Sequence, residues 1–403
     1  MTPPATVTRV PSRRRLLFAV GALVAVMLSA CAEDAVQDTW QPEGENANRI
    51  HNLQWPVFAI AGVVGLLVFA AIVWIVIRYR DRGQPIPKQS HGKPALEIAL
   101  TILPALILVG VAVPTVGTLM ALAETDDTEC SVNVYGQQWW WEVEYPEQEG
   151  CGGIDREFVT SGQMVIPTGT KVLISGTSRD VIHSWWIPAL NGKKDMVPGR
   201  VHTVRTQADE PGIYAGQCTE FCGLSHANMR MEVVALDPGD FETWKANQLK
   251  PYAAPEEGSV AAEGESAFIS QCARCHVVDG LDDGGVNAPT QFVYSGTAPN
   301  LTNLMTRNTF AGAMFDLVTD ECRERVWEAT PEEFGERYLE GVTPECLNEV
   351  ELRAWIKNAP AMKPMYTDGT KLGPTDGRSR GMPALGLNDD QADQLVAYLL
   401  ERN

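Results

Sequence analysis

The longest apolar stretches of the chain lie in its first third. Residues 55–77 are free of charged side chains, and residues 95–122 contain one glutamate and two prolines. Each stretch is long enough to cross the hydrocarbon core of a bilayer as a helix, and membrane helices tolerate proline. The pattern therefore predicts two transmembrane helices, with Trp55 and Trp74 near the ends of the first one.

The loop between the two stretches, residues 78–94, carries an excess of arginine and lysine. The positive-inside rule places such a short basic loop in the cytoplasm. Residues 31–54 and everything after residue 122 are then expected on the outer side of the membrane.

Residues 1–30 begin with basic side chains, continue as an apolar run and end in small residues, which is typical of a signal peptide. Leu28-Ser-Ala-Cys31 resembles a bacterial lipoprotein cleavage box, which would leave Cys31 as a lipid-bearing N-terminus. The alternative is an uncleaved helix with an incidental cysteine. We expect a multi-pass protein of a bacterial cell membrane, with lipid as one partner and its later domains on the extracytoplasmic side.

Short β-rich runs separated by Gly and Pro turns fill residues 124–246. This spacing predicts a small β-sandwich or barrel. One run contains three consecutive tryptophans, and strand alternation points Trp139 and Trp141 to one face and Trp140 to the other. At least one of them is then expected to be exposed, and the alternative is that all three belong to the core.

The composition changes again after the β-rich region. Residues 247–262 are rich in Pro, Ala, Glu and Gly and are predicted to be a linker. The domain that follows, residues 263–403, contains Cys272-Ala-Arg-Cys275-His276, which is the attachment signature of a c-type haem with the histidine as an iron ligand. A zinc knuckle is the alternative, but no second cysteine pair with suitable spacing follows closely.

The other axial ligand of this haem is expected near the C-terminus. Met382 shortly precedes a predicted terminal helix, which begins at Asn388 with a capping pattern. Met362 and Met365 are rival candidates. Residues 308–350 form a longer segment than a minimal cytochrome needs, and we interpret them as an insertion without an assigned role.

Length, charge and cysteine content narrow the possible functions. A chain of 403 residues should contain more than one domain, and its net charge of -19 argues against nucleic-acid binding and suits basic partner proteins such as small cytochromes. Two cysteine pairs have no His or Met pattern beside them, so we predict disulfides and an oxidising compartment. These pairs are Cys130 with Cys151 and Cys322 with Cys346.

Metal-ligating side chains are most concentrated in residues 216–231, between two strand-like runs. Four soft donors occupy this predicted loop, and they are Cys218, Cys222, His226 and Met229. Thiolate, imidazole and a weak thioether are the ligands of copper electron-transfer sites, whereas a structural zinc site has no use for the methionine. Two cysteines allow both thiolates to bridge two copper ions, with His183 upstream as the second histidine. The alternative is a Cys218–Cys222 disulfide with the histidine on the surface.

This loop, together with the His183-Ser-Trp sequence, resembles subunit II of the haem-copper cytochrome c oxidases, and the haem signature resembles the fused cytochrome c of caa3-type oxidases. The resemblance implies a multidomain membrane protein with a two-helix transmembrane hairpin, a β-sandwich or barrel of the cupredoxin kind, and an all-α class I cytochrome c domain. It also implies three cofactors, which are two copper ions in a binuclear centre, a covalently bound haem c and magnesium.

The same resemblance implies roles for individual residues. The copper ligands would be His183, Cys218, Cys222, His226 and Met229, with a backbone carbonyl from Glu220, and the haem ligands would be Cys272, Cys275, His276 and Met382. The Glu220 carboxylate would also reach the magnesium at the border with subunit I. Trp139 would receive electrons, and Glu97 would stand at the mouth of a proton path, although Leu100 replaces a tryptophan that is usual nearby. The alternative is that the Glu97 side chain only extends to the lipid headgroups.

As a function, the resemblance implies a subunit that accepts electrons from cytochrome c or a cytochrome bc-type complex. The electrons would pass through the haem and the copper centre to subunit I, which reduces oxygen to water and translocates protons, and subunit III is a further expected partner. The alternative is a membrane-anchored copper-handling or assembly factor with an attached cytochrome. A stand-alone electron carrier is disfavoured, because it would need neither Glu97 nor the carboxylate of Glu220.

Overall fold

The structure is a computed structural model, and it describes residue 21 and residues 36–83, 85, 91–282, 298–367 and 380–402. The predicted signal peptide lies outside the described residues except for residue 21, and so does Cys31.

Two long apolar helices lead into the rest of the chain. Helix α1 spans Glu45–Arg78 and helix α2 spans Pro94–Ala123, and both are long and apolar enough to cross a membrane. This confirms the prediction of two apolar helices. Helix α1 begins ten residues before the predicted span, because its first turns are polar and pack on the next domain.

The start of α1 is fixed to the β domain by polar contacts. Asn46 is buried, and its Nδ2 atom donates a hydrogen bond to the Arg205 carbonyl at 2.6 Å. Glu45 forms ion pairs of 3.4 Å with both Lys171 and Arg205. The first turns of the helix therefore belong to the fold of the β domain.

The β domain contains a five-stranded sheet in the order β3-β2-β1-β5-β8, a three-stranded sheet in the order β4-β10-β9 and a β6-β7 hairpin. Its strands are β1 Cys130–Gln137, β2 Trp140–Tyr145, β3 Phe158–Ser161, β4 Gln163–Pro167, β5 Val172–Ser178, β6 His183–Trp185, β7 Lys194–Met196, β8 His202–Thr206, β9 Gly212–Gln217 and β10 Arg230–Leu236. Alternate residues of β1, including Val132 and Val134, are buried, which is the expected pattern of a sheet with one face on the core. The prediction of a β-rich domain is confirmed.

The remaining chain is mostly helical. Its helices are α3 Pro238–Gln248, α4 Val260–Gln271, α5 Asp320–Trp327, α6 Pro331–Leu339, α7 Glu349–Met362 and α8 Asp389–Leu400. Asn388 caps the last of them in a capping box with Gln391, as its sequence predicts. Two short strands, β11 Thr309–Phe310 and β12 Phe315–Asp316, also pair here, so this part of the chain is not purely α-helical.

Helices α4 and α8 cross in close contact, and together they carry much of the core of the C-terminal domain. Gly264 makes this contact possible, because a Cβ atom there would lie 1.9 Å from the Gln394 carbonyl oxygen. Helix α4 begins within the range predicted as a linker, so the connection between α3 and α4 is shorter than the sequence indicates.

The insertion of residues 308–350 packs against the β domain. Phe334 and Tyr338 of α6 are buried in the same hydrophobic cluster as the β-sheet residues. Tyr338 also accepts a hydrogen bond from Gln163 of β4. A disulfide joins Cys322 to Cys346 within the insertion. The C-terminal domain and the β domain therefore share part of one core.

Candidate metal centre

Three strand ends bring the predicted copper ligands together. His183 opens β6, Cys218 directly follows β9, and Met229 directly precedes β10. Strands β9 and β10 are antiparallel with Gln217 opposite Arg230, so the two ligands next to this pair are neighbours. The Cys218 amide donates to the Met229 carbonyl at 2.9 Å, which closes the base of the loop.

Two sulfur atoms lie at the centre of the arrangement. The Sγ atoms of Cys218 and Cys222 are 3.8 Å apart, and both cysteines are free and buried. The alternative of a disulfide between them is therefore wrong. Nδ1 of His183 lies 3.9 Å from the first sulfur, and Nδ1 of His226 lies 3.5 Å from the second. The Sδ atom of Met229 is 3.8 Å from Cys222 Sγ.

The types of donor atom in this site indicate which metal would fit it. Two thiols, two imidazoles and a thioether are soft ligands, and the ring nitrogen of His183 and the two cysteine sulfurs lie within 4.8 Å of one another. A closed structural zinc site uses four Cys or His ligands and leaves no role for a buried methionine sulfur. The residues therefore fit copper better than zinc.

Asp180 orients the first histidine. Its carboxylate lies 2.8 Å from Nε2 of His183, which leaves Nδ1 facing the cysteines. Burial lowers the pKa of His183, but the hydrogen bonds with Asp180 and Cys218 outweigh it, and the net pKa is raised. Burial raises the pKa of Asp180, yet its hydrogen bond with the imidazole leaves the pKa below the usual range.

The thiols of Cys218 and Cys222 shift each other's pKa in opposite directions. A hydrogen bond from Cys222 lowers the pKa of Cys218 to about 4, although burial opposes the shift. The pKa of Cys222 is raised, because it donates to its neighbour and is buried beside that developing charge. Both thiols must lose their protons to bind a metal, so a soft cation would displace protons on binding here.

The tryptophan run lies beside this loop. Trp139 Nε1 donates to the Cys222 carbonyl at 3.1 Å, and Gln138 Nε2 donates to the same oxygen at 2.7 Å. Trp139, Trp140 and Trp141 are 3%, 6% and 0% exposed. The expectation that at least one of them is exposed is wrong, because residues of the C-terminal domain cover Trp139.

Sequence reasoning missed one residue of this contact. Lys363 is buried, and its Nζ atom donates to the carbonyl oxygens of Trp139 at 2.8 Å and Ala311 at 2.6 Å. Tyr366 packs its ring 5.1 Å from the Trp139 ring, centroid to centroid. No motif surrounds this lysine, and only its burial in the fold reveals it.

The haem signature lies at the end of α4. Cys272 and Cys275 are free and half-buried, and burial raises the pKa of Cys272 to about 12. Nδ1 of His276 lies 2.8 Å from the Pro299 carbonyl, so Nδ1 donates to this oxygen and the hydrogen bond fixes the tautomer of the ring. The donor atoms fit a covalently bound haem with a histidine ligand.

The candidate axial methionines differ in their surroundings. Met382 is half-buried beside Gly381. Met365 packs against the core cluster of the β domain and against Gly381, while Met362 is the last residue of α7.

Of the remaining predicted site residues, Glu220 lies beside the metal-binding cysteines, whereas Glu97 and the Cys130–Cys151 pair lie apart from them. Glu220 is exposed, and its carbonyl lies 3.3 Å from Cys218 Sγ. Glu97 is exposed in the first turn of α2. The sulfur atoms of Cys130 and Cys151 are bonded, with a Cα–Cα distance of 5.0 Å, and this disulfide joins the start of β1 to the loop before β3.

Known proteins resemble most of the chain. The model of "Cytochrome C oxidase subunit II, periplasmic domain" matches residues 130–236, and that of "Cytochrome C oxidase subunit II, transmembrane domain" matches residues 29–117. Cytochrome c oxidase subunit 2 of Alkalihalophilus pseudofirmus is 33% identical over 387 residues, which cover 93% of either chain. That of Bacillus sp. (strain PS3) is 31% identical over 401 residues, covering 95% of this chain and 96% of the relative.

A solved structure also matches the middle of the chain. The crystal structure of the periplasmic domain of subunit II of cytochrome oxidase from Bradyrhizobium japonicum is 26% identical and has a TM-score of 0.28. The match covers 32% of this chain and 96% of that one.

Proposed function

The chain belongs to the cytochrome c oxidase subunit II family, and from this membership we propose that it is the electron-accepting subunit of a bacterial cytochrome c oxidase. Its electrons would come from a cytochrome c or a cytochrome bc-type complex and leave toward subunit I, which reduces oxygen to water and translocates protons. Subunit III is a further expected partner.

The observation that supports the proposal best is the convergence of two imidazoles and a thioether around two cysteine sulfur atoms that are 3.8 Å apart. We propose that His183, Cys218, Cys222, His226 and Met229 hold two copper ions, with the Glu220 carbonyl as a further ligand. A copper pair supplies one-electron exchange with its charge spread over two metals and two sulfurs, which keeps changes in bond length small. The chain's own part is to orient the imidazoles and exclude water from the buried thiols.

The proposal extends to the C-terminal domain. Cys272 and Cys275 would bind haem c through thioether bonds, and His276 and Met382 would be its axial ligands. The hydrogen bond from Nδ1 of His276 to the Pro299 carbonyl supports this role, because it holds the imidazole in one tautomer. The relatives that match over nearly the whole chain also extend through this region.

Two exposed carboxylates are proposed to face subunit I. The Glu220 carboxylate would bind magnesium at that border, since hard oxygen ligands suit this cation. Glu97, near the cytoplasmic end of α2, would stand at the mouth of a proton path. The exposure of both side chains in the isolated chain supports contact with a partner subunit.

Electron paramagnetic resonance of the copper-loaded, oxidised full-length chain tests the copper proposal. We expect one unpaired electron shared between two equivalent copper nuclei. A single-copper spectrum in fully loaded protein would contradict the binuclear site and favour a copper-handling factor. Copurification then distinguishes an oxidase subunit from a copper-handling factor, because only the oxidase subunit should remain bound to a large multi-helix haem protein.

The double substitution Cys272→Ser with Cys275→Ser tests the haem proposal. Both side chains lose the thiol that forms a thioether bond, so we expect the absorbance of covalently bound haem to disappear while the copper spectrum remains. Retention of covalent haem in this variant would show that another site carries it.

A further inference from the structure

The C-terminal domain meets the metal-binding loop through residues 363–366, which we call the docking segment. The segment follows α7, where Pro360 interrupts the helix and Asn358 has non-helical backbone angles of -155° and 70°. Beyond this break, the Pro364 carbonyl accepts a hydrogen bond of 2.5 Å from Ser225 Oγ of the metal-binding loop. The docking segment therefore lies on the loop itself.

Lys363 links the two domains from a buried position. Only 2% of its surface is exposed, and its amine donates to one carbonyl in each domain, those of Trp139 and Ala311. A buried amine costs free energy unless its N–H groups find acceptors, and these two oxygens provide them. The amine can donate in either protonation state, so this link persists even though burial lowers the pKa of Lys363 to about 7.

The contact around this amine has no spare room. Gly312 lies against it with a φ of +74°, and a Cβ atom there would be 2.3 Å from the Trp139 carbonyl and 2.9 Å from the Lys363 amine. The Arg230 amide of β10 donates to the Gly312 carbonyl at 3.0 Å, which adds a backbone hydrogen bond across the interface.

The docking segment also closes the outer side of Trp139. The ring of Tyr366 lies over this tryptophan, whose exposed fraction is 3%. A Cβ atom at Gly223 of the metal-binding loop would be 3.4 Å from the Trp139 ring and 3.5 Å from the Tyr366 hydroxyl, so the three residues are in close contact. A soluble protein has no access to the tryptophan while this segment is in place.

We propose that Lys363 is a positioning residue that fixes the C-terminal domain over Trp139, so that the attached domain, and not a soluble electron donor, faces this tryptophan. The inference rests on the proposed electron-accepting function of the chain. It also gives the insertion a role, because its buried Phe334 and Tyr338 fix the same two domains together.

The test uses the full-length, copper-loaded chain and two matched substitutions. Lys363→Met keeps an unbranched side chain that is only one atom shorter and removes the N–H donors. Lys357→Met makes the same change on a half-exposed lysine six residues earlier, whose ion pair with the exposed Asp389 contributes little because solvent screens it. The readout is hydrogen exchange at the Arg230 amide, whose hydrogen bond crosses the interface.

We expect Lys363→Met to speed exchange at the Arg230 amide by about tenfold or more, since it leaves two buried carbonyls without a donor, and Lys357→Met to leave the rate unchanged. Gly312→Ala should open the same interface from the opposite side and speed exchange as well. Unchanged exchange in Lys363→Met, with the spectra of the metal centres intact, overturns the proposal.

A functional readout accompanies the exchange measurement. After a flash-excited ruthenium photoreductant donates an electron to the haem, the rate at which this electron equilibrates with the copper site should fall in Lys363→Met and not in Lys357→Met. If hydrogen exchange at the Arg230 amide becomes faster but the rate of electron equilibration is unchanged, Lys363 has only a structural role and the proposed positioning role is refuted. Absence of the copper or haem spectrum from the parent chain would refute the proposed function, whereas the exchange comparison would still decide whether Lys363 holds the domains together.

Discussion

At the scale of single residues, Glu232 is an acid buried where the β domain meets the insertion. Burial, and then the nearby charge of Asp316, raise its pKa to about 7, while Asn308 and Arg323 oppose the shift. An unfolded chain releases this proton near pH 4.5, whereas the folded chain keeps it until about pH 7. The stability of the fold should therefore decrease as pH rises between these values.

Glu232→Gln removes this titration and keeps the shape of the side chain. We expect the variant to gain stability relative to the parent between pH 4.5 and 7, by about 3 kcal/mol at most, with a constant difference above pH 7. Chemical unfolding of both proteins at several pH values measures this difference. Glu256→Gln, at an exposed position, should follow the parent throughout, and a pH-independent difference for Glu232→Gln would contradict the raised pKa.

At the scale of elements, the crossing of α4 and α8 depends on a glycine. Gly264→Ala would bring a Cβ atom to 1.9 Å from the Gln394 carbonyl and 2.8 Å from the Tyr398 Cβ atom, both on α8. Alanine favours a helix by about 1 kcal/mol over glycine, but overpacking a close backbone contact costs about 1–3 kcal/mol, and the gap is far below contact distance. We expect a net loss of stability in the C-terminal domain.

Thermal unfolding followed by circular dichroism measures the effect of Gly264→Ala. Gly239→Ala is a matched control, because this glycine is also helical but a Cβ atom there meets nothing within 4 Å. The control should unfold at or slightly above the temperature of the parent. Equal melting temperatures for the parent and Gly264→Ala would show that α4 and α8 can move apart without a loss of stability, which would contradict this prediction.

Elements with a clear periodicity could be predicted from the sequence. The two apolar helices, the β-rich domain and the capped helix after Asn388 follow from patterns within a single window of residues. Strand β7, Lys194–Met196, is not predicted, because its three mostly polar residues show no alternation of apolar and polar positions. It is a strand because it pairs with β6. The start of α1 was missed because its polar turns are buried by a domain far along the chain.

The candidate metal centre likewise contains residues that the sequence predicts and residues that only the fold brings together. The spacing of Cys218, Cys222, His226 and Met229 is local, so the sequence reveals it. The position of Lys363 depends on carbonyl groups 224 and 52 residues away, and no local pattern encodes such contacts. For the same reason the burial of Trp139 could not be predicted, since a separate domain covers it.

At the scale of the whole molecule, the shared core makes the β domain depend on the C-terminal domain. A chain that ends before residue 255 would lose the packing of Phe334 and Tyr338 and expose the surface around Trp139. Each buried aromatic side chain contributes about 1.5–3 kcal/mol, so we expect a clear fall in melting temperature. The copper spectrum should remain, because its predicted ligands all precede residue 255.

Thermal unfolding of the truncated and complete chains, followed through copper absorbance, tests this dependence. Removing the Cys322–Cys346 disulfide by the substitution of both residues with serine is an intermediate case, since it loosens the insertion without deleting it. Its melting temperature should lie between the two. Equal melting temperatures for the truncated and complete chains would show that the domains are energetically independent.

Helix α1 runs unbroken from its buried first turn at Asn46 into the apolar span that begins near Trp55. With a rise of 1.5 Å per residue, these nine residues separate the base of the β domain from the start of the apolar span by roughly 14 Å. Two extra residues inserted here would lift the domain by about 3 Å and rotate it by about 200°. Helix register therefore sets the height of this domain above the bilayer and its rotation about the helix axis.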